Sequence, residues 1–142
     1  MNRHAVYIAL RTRAASALPA AREYENVPFT PPATDPYAEE DFAPSGSRLL
    51  SGPANGGRRE HTGLYVIRWY GQPSVDVSAM NAGITALLAR FAPGSWIAAS
   101  DGTVVRVREE PAPWAGQIVN LTNGRPVATV TIPWLVRTIN SF

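Results

Sequence analysis

The chain has 142 residues, 45% hydrophobic and 17% charged, with no cysteine; that suits one globular domain with a sizeable core and excludes disulfide frameworks and thiolate metal sites. The net charge of +2 is too small to argue for a nucleic-acid surface, although the pI is near 9.4, and no apolar run approaches the ~20 residues of a membrane helix. All 13 cationic residues are arginine, which fits either a GC-rich genome or a need for planar, multi-donor contacts.

Residues 2–18 carry Val6, Tyr7, Leu10, Ala14, Ala17 and Leu18 at helical spacing, with Arg3, Arg11 and Arg13 mainly elsewhere on the wheel. Asn2 is placed to cap this helix and Pro19 to stop it. The apolar run Ala5–Leu10 is shorter than the ~7–15 residues of a secretory core and meets Arg11 and Arg13, so it reads as an amphipathic helix. Tyr24–Phe29 is extended, and Pro28 denies it one ladder bond, as on an edge strand.

From Pro31 to His61 the chain is rich in Pro, Gly, Ser and charge, and only Tyr37–Phe42 and Ser47–Leu50 look extended. About thirty residues is far longer than the usual connection of ~4–6. The expectation is a long arm or loop that is disordered or orders against a partner.

Gly63–Tyr70 is the stretch around which the fold is organised. Leu64, Val66 and Tyr70 fall on one side of a strand and Tyr65, Ile67 and Trp69 on the other, with Arg68 the polar exception. A strand apolar on both sides is central, either covered on both faces or covered on one and docked to a partner on the other. Ser74–Phe91 then gives a second helix, with Val77, Met80, Ile84, Leu87, Leu88 and Phe91 in one stripe, Ser74 or Asp76 as cap and Pro93-Gly94 as stop. Ala79, Ala82, Gly83, Ala86 and Ala89 keep its other faces slim.

Two hairpins follow. Trp96–Ala99 and Val104–Arg108 flank Ser100-Asp101-Gly102-Thr103, while Ile118–Leu121 and Val127–Ile132 flank Thr122-Asn123-Gly124-Arg125. Glu109–Gly116 is a Pro-bearing loop between them. The chain is therefore expected to be one α+β domain over 1–142. Its sheet is mixed but mostly antiparallel, with two helices packed on it and a long arm or loop at 31–61.

The residues do not describe an enzyme or a cofactor site. His4 and His61 are the only imidazoles and lack metal-site spacing. Gly46, Gly52, Gly56 and Gly57 precede no helix, so they do not form a phosphate loop. Glu39-Glu40-Asp41 is the one acidic cluster, too small for a cation site on its own, and Arg58-Arg59 is the basic pair. Trp69, Trp96 and Trp134 sit in strand patterns suited to core or subunit packing, whereas Trp114 lies in a loop, free to meet a partner.

Several of these pieces occur together in one known family. Glu25-Asn26-Val27-Pro28-Phe29-Thr30-Pro31-Pro32 after an N-terminal helix, an arm closing on Arg58-Arg59, Gly63–Tyr70 leading into the Ser74–Phe91 helix, and the ending Val130-Thr131-Ile132-Pro133-Trp134 resemble the tail terminator family of long-tailed bacteriophages. The resemblance implies a structural, non-catalytic subunit of a hexameric ring that ends the tail tube. Its partners would be other copies of itself, the tail tube protein and a head-side connector or stopper. DNA would pass through the ring without specific binding, and no membrane is involved. The protein would be assembled in the host bacterial cytoplasm and end in the neck of the virion. On this reading Arg48, Arg58, Arg59 and Trp114 are candidate interface residues, and Glu39, Glu40 and Asp41 are candidate carboxylates facing the lumen. Arg137–Phe142 runs past the last expected strand with no assigned role. The alternatives are another neck or tail-completion protein, a nucleic-acid-binding module, or a small hydrolase, for which no nucleophile–base pair is present.

Overall fold

Backbone alternation and two apolar helices generate the architecture, which the computed structural model describes for residues 1–19, 21–24, 27–51, 57–73, 76–121 and 123–139. In chain order the elements are α1 (Arg3–Ala15), β1 (Ala21–Glu23), β2 (Tyr37–Ser51), β3 (Arg58–Tyr70), α2 (Ser78–Arg90), β4 (Trp96–Ala98), β5 (Val104–Val107), β6 (Trp114–Ala115), β7 (Val119–Asn120) and β8 (Pro126–Ile139). The strands form one sheet in the order β1-β2-β3-β8-β5-β4, with β6 and β7 also on β8. Only β1 and β2 run parallel. This is the expected α+β fold.

The segment expected as an arm is the main difference. Tyr37–Ser51 and Arg58–Tyr70 pair antiparallel along their whole length as one long hairpin. Its composition misleads because Pro44 and Gly46 sit where the ladder shifts register. Such an irregularity takes residues that an ordinary ladder excludes. Tyr24–Phe29, expected as an edge strand, gives way to the shorter β1 just before it. The C-terminal segment also gains a role, since Arg137–Ile139 continue β8 and pair with Arg58–Glu60. Gly52, Gly56, Ser74, Glu25-Asn26, Thr122 and residues 140–142, which figured in the expectations, lie outside the described residues.

One face of the sheet is the core. Phe42, Tyr65, Ile67, Trp69, Val130, Ile132, Trp134 and Val136 are buried on it. Against them pack Val6, Leu10 and Ala14 of α1 and Met80, Ile84 and Leu87 of α2. Asn2 caps α1 by accepting from the Ala5 amide at 3.2 Å, and Asp76 accepts from the Ser78 amide at 2.7 Å at the start of α2. Trp134 stacks on Phe42 with centroids 5.3 Å apart and lies over Gly63, where a Cβ would overlap the indole and come within 2.8 Å of the Ala43 carbonyl.

Proline in the central strand β8 costs little. The Pro133 carbonyl accepts from the Arg108 amide at 3.0 Å. In an antiparallel strand a residue's nitrogen and carbonyl point to the same side, so the missing donor falls between β6 and β5, away from the β3 ladder. The Asn-Gly turn behaves as expected: the Arg125 amide donates to the Asn123 side chain at 3.0 Å, and Gly124 takes φ +78°.

Gly83 sets how closely α2 approaches the sheet. A Cβ there would stand 2.5 Å from the Trp69 ring, and that ring is held in register between Ala38 and Ala128. Gly→Ala in an open helix stabilises by ~1 kcal/mol, but overpacking a core costs ~1–3 kcal/mol. Gly83→Ala is therefore expected to lower the thermal midpoint. A raised midpoint would show that α2 and Trp69 separate at no cost.

Candidate subunit interface

Strand alternation divides the acidic cluster. Glu40 points to the helix-covered face and is only 6% exposed. It accepts hydrogen bonds from the Tyr7 hydroxyl, from Arg11 Nε at 2.8 Å and from the Tyr65 hydroxyl at 2.5 Å. Arg11 also donates to the Tyr7 oxygen at 2.7 Å and lies 4.0 Å from the Tyr24 ring centroid. One carboxylate thus ties α1 to both β2 and β3. Burial, and next the bond to Glu40, push the Tyr7 phenol up to about 12. Burial, followed by the charge of Glu40, likewise raises Tyr65.

Glu39 and Asp41 point to the opposite face, where no helix packs. Arg68 lies between them and donates to Glu39 at 2.9 Å and Asp41 at 2.7 Å. Burial opposes the Arg68 charge, but the two carboxylates outweigh it and raise its pKa. Glu23 on neighbouring β1 touches Glu39, and this hydrogen bond, with some burial, holds the Glu23 carboxyl above its usual range. Two carboxylates therefore share one guanidinium, with Glu23 beside them. Beside them Leu64 is exposed and Val66 half-buried, while Tyr37 and Tyr70 stack with centroids 4.4 Å apart.

The same open face is cationic toward the hairpin end. Glu60 is buried between Arg48 and Arg137, each 3.2 Å away and directly opposite it in register on the flanking strands. Arg58 lies on this side and Arg59 on the other, opposite Leu49, which is 50% exposed, and neither arginine makes an ion pair among the described residues. A cleft next to this end is lined by Arg106, Arg108 and Glu109. Farther along, Trp96 is 66% exposed with Arg106 lying 5.6 Å from its ring centroid.

Arg125 is a buried cation that pairs with no carboxylate among the described residues. It donates to four backbone carbonyls, those of Pro32 and Ala33 at 2.8 Å, Asp35 at 2.9 Å and Gly71 at 3.0 Å. The planar fork of donors suits this task, which one ammonium does not match. It pins the Pro-rich stretch before β2 to the end of β3.

The expected site residues fall into three groups. Trp114 is 46% exposed on β6 beside Thr131, and Arg58 and Arg59 are on the hairpin. Arg48 is there too, though engaged with Glu60 within the chain. Glu39 and Asp41 are on the open sheet face. Glu40 is different: it is buried beneath α1 and is no surface carboxylate for a lumen. Of the core or subunit packing expected for Trp96, the core half does not hold, since it is the most exposed of the four tryptophans. The signal was the alternation of β4, because Ile97 facing the core turns Trp96 outward.

Among the described residues no group of three or more His, Asp or Glu side chains is arranged to hold a metal ion, and no helix is long and apolar enough to cross a membrane. A sequence profile of the phage tail terminator protein family matches residues 4–134, from the first turn of α1 to Trp134 within β8. The chain belongs to the phage tail terminator protein family. Its role is accordingly structural, in the phage tail. Comparison with curated proteins found no match. A solved structure superposes on this tail terminator family member with a TM-score of 0.69 and 23% identity, covering 96% of each chain; that likeness concerns the fold alone.

The Glu40 lock predicts an alkaline response. The folded state holds the Tyr7 proton above the ordinary value of 10.0. Between that value and about 12 the unfolded chain has lost a proton that the folded chain keeps, so stability falls as pH rises through this window. Tyr7→Phe is expected to flatten that fall in alkaline denaturation curves. An unaltered slope would show that Tyr7 titrates alike in both states.

Proposed function

We propose that the chain forms a closed hexameric ring that ends the growing tail tube and joins it to a head-side connector or stopper, with DNA passing through the lumen unbound. The observation that carries this is the asymmetry of the sheet in a member of the terminator family. Both helices cover one face, and the other leaves Leu64, Trp96, Trp114 and Val119 exposed among ion pairs. Solvent-exposed tryptophan amid arginine is the composition of a protein–protein interface core. Closed symmetry repeats one such contact around the ring. The chain then acts as a non-catalytic cap, and its partners are further copies of itself, the tube protein and the connector.

Six copies of 15.3 kDa give a ring of about 92 kDa. Light scattering of the purified protein, alone and after addition of tail tubes, is expected to find that mass free or bound at tube ends. A protein that remains a monomer in both conditions contradicts the ring.

A further inference from the structure

We infer that the outer half of the β2–β3 hairpin of one copy lies on the open sheet face of the next, its Arg58, on the same side of the strand as Arg48 and Arg137, meeting that copy's Glu23, Glu39 and Asp41, with Arg59 at the other side of the strand. The inference rests on the ring reading and specifies how the copies join. Its first support is charge. At one end of the open face Glu39 and Asp41 share Arg68, and Glu23 lies in register beside Glu39. At the hairpin end Arg48 and Arg137 share the single Glu60, and Arg58 and Arg59 are unpaired among the described residues. Each end carries an excess that the other can neutralise, and arginine offers carboxylates a bidentate geometry.

The second support is apolar. Leu50, in the irregularity next to the Ser51–Arg58 pair, is exposed, while Leu64 is exposed and Val66 half-buried beside Ala43 and Asp41 in the neighbouring strand. Both surfaces thus combine the same two chemistries with opposite sign. The ends differ, so the contact is head-to-tail rather than two-fold, and a head-to-tail contact that closes makes a ring. It also gives the hairpin's length a use, since the strands continue past the last core residue, Val136, and its partner His61.

Two full-length variants test this. R58E/R59E makes the hairpin acidic, and E23R/D41R makes the open face basic. Circular dichroism and the thermal midpoint establish that each is folded, and the single change E23R serves if D41R disturbs Arg68. Each variant alone is expected to lose assembly by at least about tenfold, because like charges meet at every contact. An equimolar mixture is expected to regain assembly, with the two variants alternating around an even-numbered ring. Assembly of R58E/R59E alone at the wild-type level overturns the inference. So does a mixture of two folded variants that stays unassembled, which would direct the hairpin to the tube or connector instead. Failure of the ring reading looks different: the wild-type protein itself does not assemble, alone or on tubes.

Discussion

The register between β3 and β8 is the constraint on which the structure depends. All 13 residues of β3 pair with β8 without a shift, and β2 follows β3 with two irregularities confined to its outer half. Side chains alternate with period two, so a slip of one residue would carry Trp134, Ile132 and Val130 to the open face. The register thereby decides which residues α1 and α2 cover and which remain outside. Trp134 over Gly63 reinforces it, because no other β3 residue leaves room for the indole.

Within that frame, apolar burial and polar bonds have different duties. Val6 and Leu10 are fully buried, and each such side chain contributes ~1.5–3 kcal/mol. A buried ion pair such as Glu40–Arg11 roughly breaks even against its desolvation. The apolar stripe therefore attaches α1, and Glu40 determines where on β2 and β3 it lands. Arg125 does similar work for the Pro-rich stretch before β2. Neither group adds much net stability, yet removing one partner would leave the other buried and unmatched.

Much of this was legible in the chain. Periodicity located both helices, and the Asn-Gly and Asp-Gly turns located both hairpins. The two apolar sides of Gly63–Tyr70 announced a central strand, and the structure covers one of them, burying Tyr65 and leaving Leu64 exposed. The hairpin was not legible, because Pro44, Ser45 and Gly46 resemble loop chemistry and their ladder partners, Gly63 and Thr62, belong to the next strand, outside any local pattern. Glu40 was misread for a related reason. A carboxylate in an acidic run looks solvated, and its partners Tyr7, Arg11 and Tyr65 lie 25 to 33 residues away, where no local pattern reports them.

A sheet covered by helices on one side and open on the other offers a surface for a further copy, which is how the proposed ring would complete it. An acidic half and a basic half on the same uncovered face allow one protomer to satisfy the next. A density map of the head-proximal end of an assembled tail tests this most directly. The account predicts that the open face carrying Arg68 is covered by a neighbouring copy, with α1 and α2 turned away from that contact. A map in which copies meet through α1 and α2, leaving Leu64 and Arg68 in solvent, would contradict it.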